Sequence, residues 1–247
     1  MLKAFILGLQ FLTRLPINIR IDFNKNNLSK TPIFFPIIGM IIGGISGGIY
    51  YLLSFLNNDI AALGAVLSLV LVTGGLHIDG LSDTTDGFFS SRPREKILEI
   101  MKDSRVGAFG VISIVFDIMF KYVLLKNMTV QMAVPALVLS CAIGRTMITM
   151  LFSFGKSARP GGMGEIFMNK NSKIYFVFTL VILIIFGVFI GKYAFVVAFL
   201  SAIIFSLCFM KYSYKVIGGV TGDVYGANCE LSEIVSLIAF LVVMRWI

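Results

Sequence analysis

The fold is decided by residues 174–210, IYFVFTLVILIIFGVFIGKYAFVVAFLSAIIFSLCFM, in which two uncharged apolar runs are separated only by Lys192. An α-helix needs about 20 predominantly apolar residues to cross the hydrocarbon core of a bilayer. Each run is close to that length, so the pair predicts two transmembrane helices.

Five further segments are apolar over a comparable length, and two of them, 106–125 and 231–247, carry charges that leave an interfacial or re-entrant placement open. The chain of 247 residues is 57% apolar and only 14% charged, against roughly 25% charged residues in a soluble domain. This composition excludes a soluble domain and a disordered chain. We expect an all-α integral membrane protein, a single domain over residues 1–247 forming a polytopic bundle of about seven transmembrane helices at 33–56, 60–76, 106–125, 128–154, 174–191, 193–210 and 231–247.

Lysine and arginine residues concentrate in alternate loops of this predicted topology. Sixteen lie in the N-terminal stretch and in loops 77–105, 155–173 and 211–230, whereas the intervening loops hold three, Lys121 among them. Because cytoplasmic loops carry the excess of positive charge, the N-terminus and the long polar loops are predicted to face the cytoplasm, in a multi-pass protein of the cytoplasmic membrane. The net charge of +8 then reflects these loops and anionic lipid, and no nucleic-acid partner is expected.

The first predicted span contains a stripe of small residues. Gly39, Gly43 and Gly47 recur every four residues, a spacing that lets two helices approach closely. Packing between helices of the same chain is the favoured interpretation, and a homo-oligomer formed through this stripe is the alternative.

Acidic residues cluster in the stretch HIDGLSDTTDG at 77–87. Asp79, Asp83 and Asp86 lie at positions i, i+4 and i+7, so a helix places all three on one face. Carboxylates this close repel one another, and oxygen-only clusters suit Mg²⁺, which proteins usually hold through one or two carboxylates together with substrate phosphates. The three residues are therefore predicted metal ligands. The sole histidine, His77, is a candidate general base or metal ligand, and an interfacial hydrogen-bonding role is the alternative.

A second acidic, glycine-rich stretch, GGVTGDVYGANCELSE, occupies 218–233. We expect it to form a polar loop and helix start in which Asp223 and Glu230 complete the metal site or orient a reacting group. The two intramembrane charges Asp117 and Arg145 are expected to be functional or to pair with each other.

Basic and hydroxyl residues that suit phosphate oxygens lie beside these acidic stretches. Lys102, Ser104 and Arg105 follow the first one among small residues, and Arg159 lies in the glycine-rich loop SARPGGMG at 157–164. Taken together, the residues indicate Mg²⁺-assisted phosphoryl or diphosphate chemistry at the cytoplasmic face of a membrane.

The motifs at 77–87 and 101–110, the latter MKDSRVGAFG, resemble those of the cobalamin synthases, the adenosylcobinamide-GDP ribazoletransferase family. Shorter stretches at 11–16, 35–39, 158–164 and 219–233 resemble the same family in the same order. The resemblance implies an Mg²⁺-dependent membrane enzyme that joins adenosylcobinamide-GDP to α-ribazole, or to its 5′-phosphate, and releases GMP.

In that activity the sequence assigns roles to the residues already named. Asp79, Asp83 and Asp86 would hold Mg²⁺, and His77, Asp83, Asp223 and Glu230 would form the catalytic set; Lys102, Ser104, Arg105 and Arg159 would bind phosphate. Two other classes of membrane transferase with Asp motifs remain as alternatives. The CDP-alcohol phosphotransferases share the Asp-Gly start at Asp79, and prenyltransferases also carry two Asp-rich loops. A transporter is disfavoured because the polar residues cluster in loops instead of at the bilayer midplane.

Overall fold

A computed structural model describes residues 1–22, 24–159 and 161–246. These residues are almost entirely helical, and their only β-structure is an isolated bridge between Ser157 and Val220. The helices are α1 (Leu2–Leu12), α2 (Lys25–Leu28), α3 (Phe35–Ser54), α4 (Asn58–Thr73), α5 (Leu76–Phe88), α6 (Arg94–Ile100), α7 (Ala108–Lys126), α8 (Val130–Phe154), α9 (Ser172–Ile217) and α10 (Gly222–Trp246).

The two ends of the bundle differ in which segments of the chain lie there. At the first, which we call the loop end, the backbone N–H of Ala158 donates to the Val220 carbonyl over 2.9 Å, and Arg94 Nε donates to the Ile217 carbonyl over 2.7 Å. At the other, the far end, Lys126 pairs with Asp59 over 2.9 Å. The four long polar segments, including the N-terminal one, therefore meet at one end, as the alternation of basic loops predicts.

Helix α9 contains both of the apolar runs that decide the fold. A straight helix of its 46 residues would be about 69 Å long, far more than a bilayer requires. Both of its ends nevertheless lie at the loop end, because Ser153 Oγ donates to the Ser172 carbonyl and Arg94 contacts Ile217. The chain reverses at Lys192, which has φ 49° and ψ −134°, so α9 is two spans, as predicted.

Among the residues that the structure describes, five helices are individually long and apolar enough to cross a membrane, namely α3 with its preceding turn, α7, α8, α9 and α10. The pair α4 and α5 reaches that length only together, with a bend of 89° between them. Helix α4 runs from the far end to the loop end, and α5 then lies across the loop end. With α9 counted twice, the described residues pass between the two ends seven times, which agrees with the predicted bundle.

The ends of two predicted spans differ from the structure. The predicted span 60–76 stops at Thr73, because Gly74 and Gly75 adopt φ of 64° and 70° and break the helix there. The predicted span 231–247 instead begins at Gly222, so the second acidic stretch is mostly helical and not a loop. Carboxylates can occupy this span because they are paired with buried cations, as described below.

The glycine stripe packs inside the chain. A Cβ added to Gly39 would lie 2.7 Å from Ala142 Cα of α8, and one added to Gly43 would lie 2.6 Å from Val138 Cα. Gly47 faces Val134 of the same helix. The favoured interpretation, packing between helices of the same chain, is thus confirmed. Gly39, Gly43 and Gly47 are not available for a homo-oligomer interface, because α8 covers them.

Candidate functional site

The site is built where α5 crosses the first two turns of α10. A Cβ on Gly80 would lie 2.8 Å from the Asp223 carbonyl oxygen, and one on Gly226 would lie 3.0 Å from the His77 carbonyl oxygen. Only glycine permits such a close approach of two backbones. The glycines in both acidic stretches therefore bring the stretches together.

This crossing groups Asp79, Asp83 and Asp223. Asp79 is exposed, whereas Asp83 and Asp223 are half-buried. Partial burial, together with the negative charges of Asp79, Asp223 and Asp86, raises the pKa of Asp83 to about 7. No Lys or Arg in the described residues forms an ion pair with any of these three carboxylates, so the group is deficient in positive charge.

Asp86 has a different environment from the other two aspartates of α5. Its two carboxylate oxygens accept hydrogen bonds from the backbone N–H groups of Gly107 and Gly110, over 2.6 and 2.8 Å, at the start of α7. A carboxylate at a helix N-terminus satisfies free N–H groups and interacts favourably with the helix dipole. The structure thus places Asp86 as an anchor between α5 and α7, while its predicted metal role stays a prediction.

The donor chemistry of the site fits a hard divalent cation. Asp79, Asp83 and Asp223 offer only oxygen, and Mg²⁺ usually relies on one or two carboxylates plus water and substrate phosphates. In the part of the chain that the structure describes, no three His, Cys, Asp or Glu residues are arranged as a complete metal-binding group. A partial carboxylate set of this kind matches a metal that is shared with a substrate.

An aromatic cavity of about 320 Å³ opens beside these carboxylates. Asp79, His77 and Asp223 line one side of it. The rest of the lining includes aliphatic side chains and five aromatic rings from different parts of the chain: Phe11, Phe35, Phe152, Phe167 and Tyr225. Sequence reasoning did not single out these rings, although Phe11, Phe35 and Tyr225 stand inside motifs that it used.

A smaller, more polar cavity of about 210 Å³ adjoins the first. Its lining includes Ser157, Arg159, Glu165 and Thr221, and it shares Asp223 with the aromatic cavity. Arg159 is half-buried, and its Nη2 donates to the Leu98 carbonyl over 2.9 Å, which fixes the side chain. The predicted phosphate-binding Arg159 therefore lies next to the acidic group.

The other predicted phosphate ligands lie on an exposed turn between α6 and α7. Lys102, Ser104 and Arg105 are all exposed, and none of them lines either cavity. Arg105 pairs with Asp103 over 2.6 Å, and its hydrogen bonds lower the pKa of Asp103 to about 2. To bind a substrate, Arg105 would have to leave this partner.

Glu230 belongs to a second group of charges, deep in the bundle. Lys121 of α7 pairs with Glu230, with Asp117 over 3.1 Å and with Glu233 over 3.0 Å, and Arg145 of α8 pairs with Glu233. We call these five residues the buried ion cluster; all are buried. The expected direct pairing of Asp117 with Arg145 is wrong, because Lys121 and Glu233 stand between them, and Lys121 is not a loop residue.

His77 connects the two groups. Its side chain is buried, lines the aromatic cavity, and lies with Nδ1 4.0 Å from Glu230 Oε1 of the buried ion cluster. This distance is too long for a hydrogen bond. The histidine can therefore face a substrate in the cavity while its environment is set by the ion pairs behind it.

The fold and site together define a polytopic helical membrane protein with a carboxylate-lined substrate cavity at its loop end. Comparison with known proteins gives the family: the model of the cobalamin-5-phosphate synthase family matches residues 4–241, and the chain belongs to that family.

Relatives support this membership over the whole length. The adenosylcobinamide-GDP ribazoletransferases of Clostridium novyi (strain NT) and Clostridium botulinum (strain Kyoto / Type A2) are each 40% identical to the chain over 242 residues. The one from Thermoanaerobacter sp. (strain X514) is 39% identical over 243 residues. Each alignment covers 97% of this chain and at least 97% of the relative. No solved structure matches the chain.

Proposed function

We propose that the protein is an adenosylcobinamide-GDP ribazoletransferase, which joins adenosylcobinamide-GDP to α-ribazole or its 5′-phosphate. The observation that carries the proposal is the grouping of Asp83 with Asp79 and Asp223, the last two of which line an aromatic cavity, in a chain that belongs to this family. The activity supplies what this acidic group needs, because a diphosphate brings a metal ion as its counter-charge.

The reaction is the replacement of one phosphate ester by another. A ribose hydroxyl of the ribazole forms an O–P bond to the phosphorus attached to cobinamide, and the bond between that phosphorus and the GMP oxygen breaks. GMP leaves with the bond's electron pair, and the hydroxyl proton passes to a base. Asp223 is the best-placed base, because it is half-buried and lines the cavity, and Asp83 is half-buried next to it. His77 lines the same cavity.

We assign Mg²⁺ to Asp79 and Asp83, with Asp223 facing them from α10. When bound there, the ion would neutralise the diphosphate and stabilise the leaving GMP. The carboxylates themselves would orient the attacking hydroxyl.

The loop end is proposed to face the cytoplasm of the cell that makes the protein, in its cytoplasmic membrane. The support is the excess of Lys and Arg in the segments that meet there, sixteen against three at the far end, namely Lys126, Lys192 and Arg245, once Lys121 is recognised as buried. The nucleotide substrate and the released GMP are then exchanged with the cytoplasm.

The experiment is GMP release by the purified protein in detergent or liposomes. The assay contains adenosylcobinamide-GDP, α-ribazole 5′-phosphate and Mg²⁺, with controls lacking ribazole or containing EDTA. GMP that appears only with both substrates and the metal is the expected result. Release of CMP from a CDP-alcohol, or of diphosphate from a prenyl donor, would instead favour one of the two alternative transferase classes.

A further inference from the structure

The aromatic cavity and the polar cavity meet along a common border. Gly164, Gly222, Asp223 and Tyr225 line both of them. We propose that the two cavities bind one molecule, the attacking nucleotide, with its flat base in the aromatic cavity, its ribose at Asp223 and its 5′-phosphate at Arg159. This inference rests on the proposed function and assigns its two substrates to separate places.

The walls of the aromatic cavity are arranged to hold a flat ring. Phe152 stacks on Phe167 with ring centroids 4.7 Å apart, and Tyr225 meets Phe152 edge-on at 4.6 Å. Phe11 contacts Phe167 at 5.9 Å on the side toward α1. Such pairs form a rigid aromatic surface, on which a heteroaromatic base stacks with little loss of side-chain freedom.

The charge of the aromatic cavity selects between the two substrates. Among the described residues that line it there is no Lys or Arg, and its ionisable groups are His77, Asp79 and Asp223. A GDP diphosphate placed among these carboxylates would be repelled, whereas an uncharged base would not. The diphosphate of adenosylcobinamide-GDP then belongs on the exposed side of Asp79 and Asp83, where solvent and a metal ion have access.

The polar cavity supplies the cation for a single phosphate. Arg159 Nε is buried and has no hydrogen-bond partner in the described residues, while Nη2 is held by Leu98. The hydroxyls of Ser157 and Thr221 line the same cavity. Its one acidic side chain besides Asp223 is Glu165, which accepts a hydrogen bond from the Gly161 N–H over 2.7 Å. A guanidinium held in place in the lining of a cavity is suited to a phosphate oxygen.

The arrangement also explains why Asp223 stands at the border. A nucleotide that spans the two cavities has its ribose between base and phosphate, and Asp223 lines both cavities at that point. The hydroxyl that attacks is therefore delivered to a carboxylate next to the Asp79 and Asp83 side of the site.

Gly222→Leu tests this placement by filling the shared border. Gly222 lines both cavities, and a Cβ there would meet nothing within 4 Å, so the added side chain does not clash with the packed core. We expect the KM for α-ribazole 5′-phosphate to rise at least about tenfold, with the KM for adenosylcobinamide-GDP changed less than about twofold. The matched control is Gly44→Leu, which also meets nothing within 4 Å but lies on α3.

Arg159→Gln tests the phosphate. The wild-type protein is expected to prefer α-ribazole 5′-phosphate over α-ribazole in kcat/KM, and the variant to lose about 10- to 100-fold of that preference. Calorimetric titration measures binding without turnover. Each ribazole compound is titrated into the wild-type protein and into the two variants.

The outcomes separate this inference from the proposed function. GMP release with a raised KM for adenosylcobinamide-GDP in Gly222→Leu, or an unchanged preference in Arg159→Gln, overturns the placement while the function stands. Absence of GMP release by the wild-type protein contradicts the function. In that case, nucleotide binding that both variants weaken would still support the cavity assignment, and no binding would overturn both.

Discussion

Two groups of carboxylates lie within a few turns of each other in this protein, and they differ in their partners. In the buried ion cluster, Asp117, Glu230 and Glu233 are paired with Lys121 and Arg145 of the same chain. At the site, Asp79, Asp83 and Asp223 have no Lys or Arg partner among the described residues. In this membrane protein, acidic residues are structural where the chain supplies their cations. Where it does not, they are candidates for ligand binding.

The largest expected effect on folding is that of Lys121→Met. Removing this cation leaves buried carboxylates uncompensated, which costs about 3–5 kcal/mol of folding free energy. Thermal unfolding in detergent, followed by fluorescence-detected size exclusion, measures the loss. Lys126→Met, five residues further on in the same helix, is the matched control and should have a small effect, because Lys126 pairs with Asp59 at the exposed far end. Equal stability of the two variants would show that the buried ion cluster does not stabilise the fold.

The largest expected effect on activity without loss of folding is that of Asp83→Asn. We expect GMP release to fall by about 10²-fold or more, since Asp83 is assigned to the metal and to proton transfer, and a positioned base alone typically contributes about 10²–10⁴-fold. The melting temperature should stay unchanged or rise, because the substitution removes a half-buried charge that its acidic neighbours repel. Asp103→Asn serves as the control, since Asp103 is paired with Arg105 on an exposed turn. Normal turnover of Asp83→Asn would contradict its assignment to the site.

A smaller effect is expected when the two acidic stretches are moved apart. Gly80→Ala adds a Cβ 2.8 Å from the Asp223 carbonyl oxygen, so α5 must shift away from α10. Overpacking of this kind costs about 1–3 kcal/mol, and the shift should lower kcat more than it changes either KM. Gly44→Ala on α3 is the control, because its Cβ has open space. Kinetics indistinguishable from wild type would mean that the α5–α10 distance does not position the site.

The smallest effect is expected on the exposed turn. Arg105→Ala should change GMP release by less than about threefold if Arg105 remains with Asp103, as the structure has it. A rise of tenfold or more in the KM for adenosylcobinamide-GDP, with kcat unchanged, would instead support the phosphate-binding role that the sequence predicts for Arg105. Glu99→Gln, on the same exposed surface, controls for a general change of surface charge.

The sequence by itself determined the class of protein and the alternation of the loops, and it singled out the acidic residues that are candidates for the site. Apolar runs of bilayer length leave few alternatives, since every backbone polar group in the membrane must be satisfied within a helix. The acidic motifs were visible because charge is rare in such a chain.

The tertiary structure alone decided which partner each carboxylate has. Asp86 accepts hydrogen bonds at the start of α7, Glu230 pairs with Lys121, and Asp79 and Asp83 lie beside Asp223. It also placed five aromatic rings from distant segments around one cavity. Spacing along the chain cannot supply this information, because a carboxylate's role depends on which cation or N–H another helix brings to it, and that is set by packing.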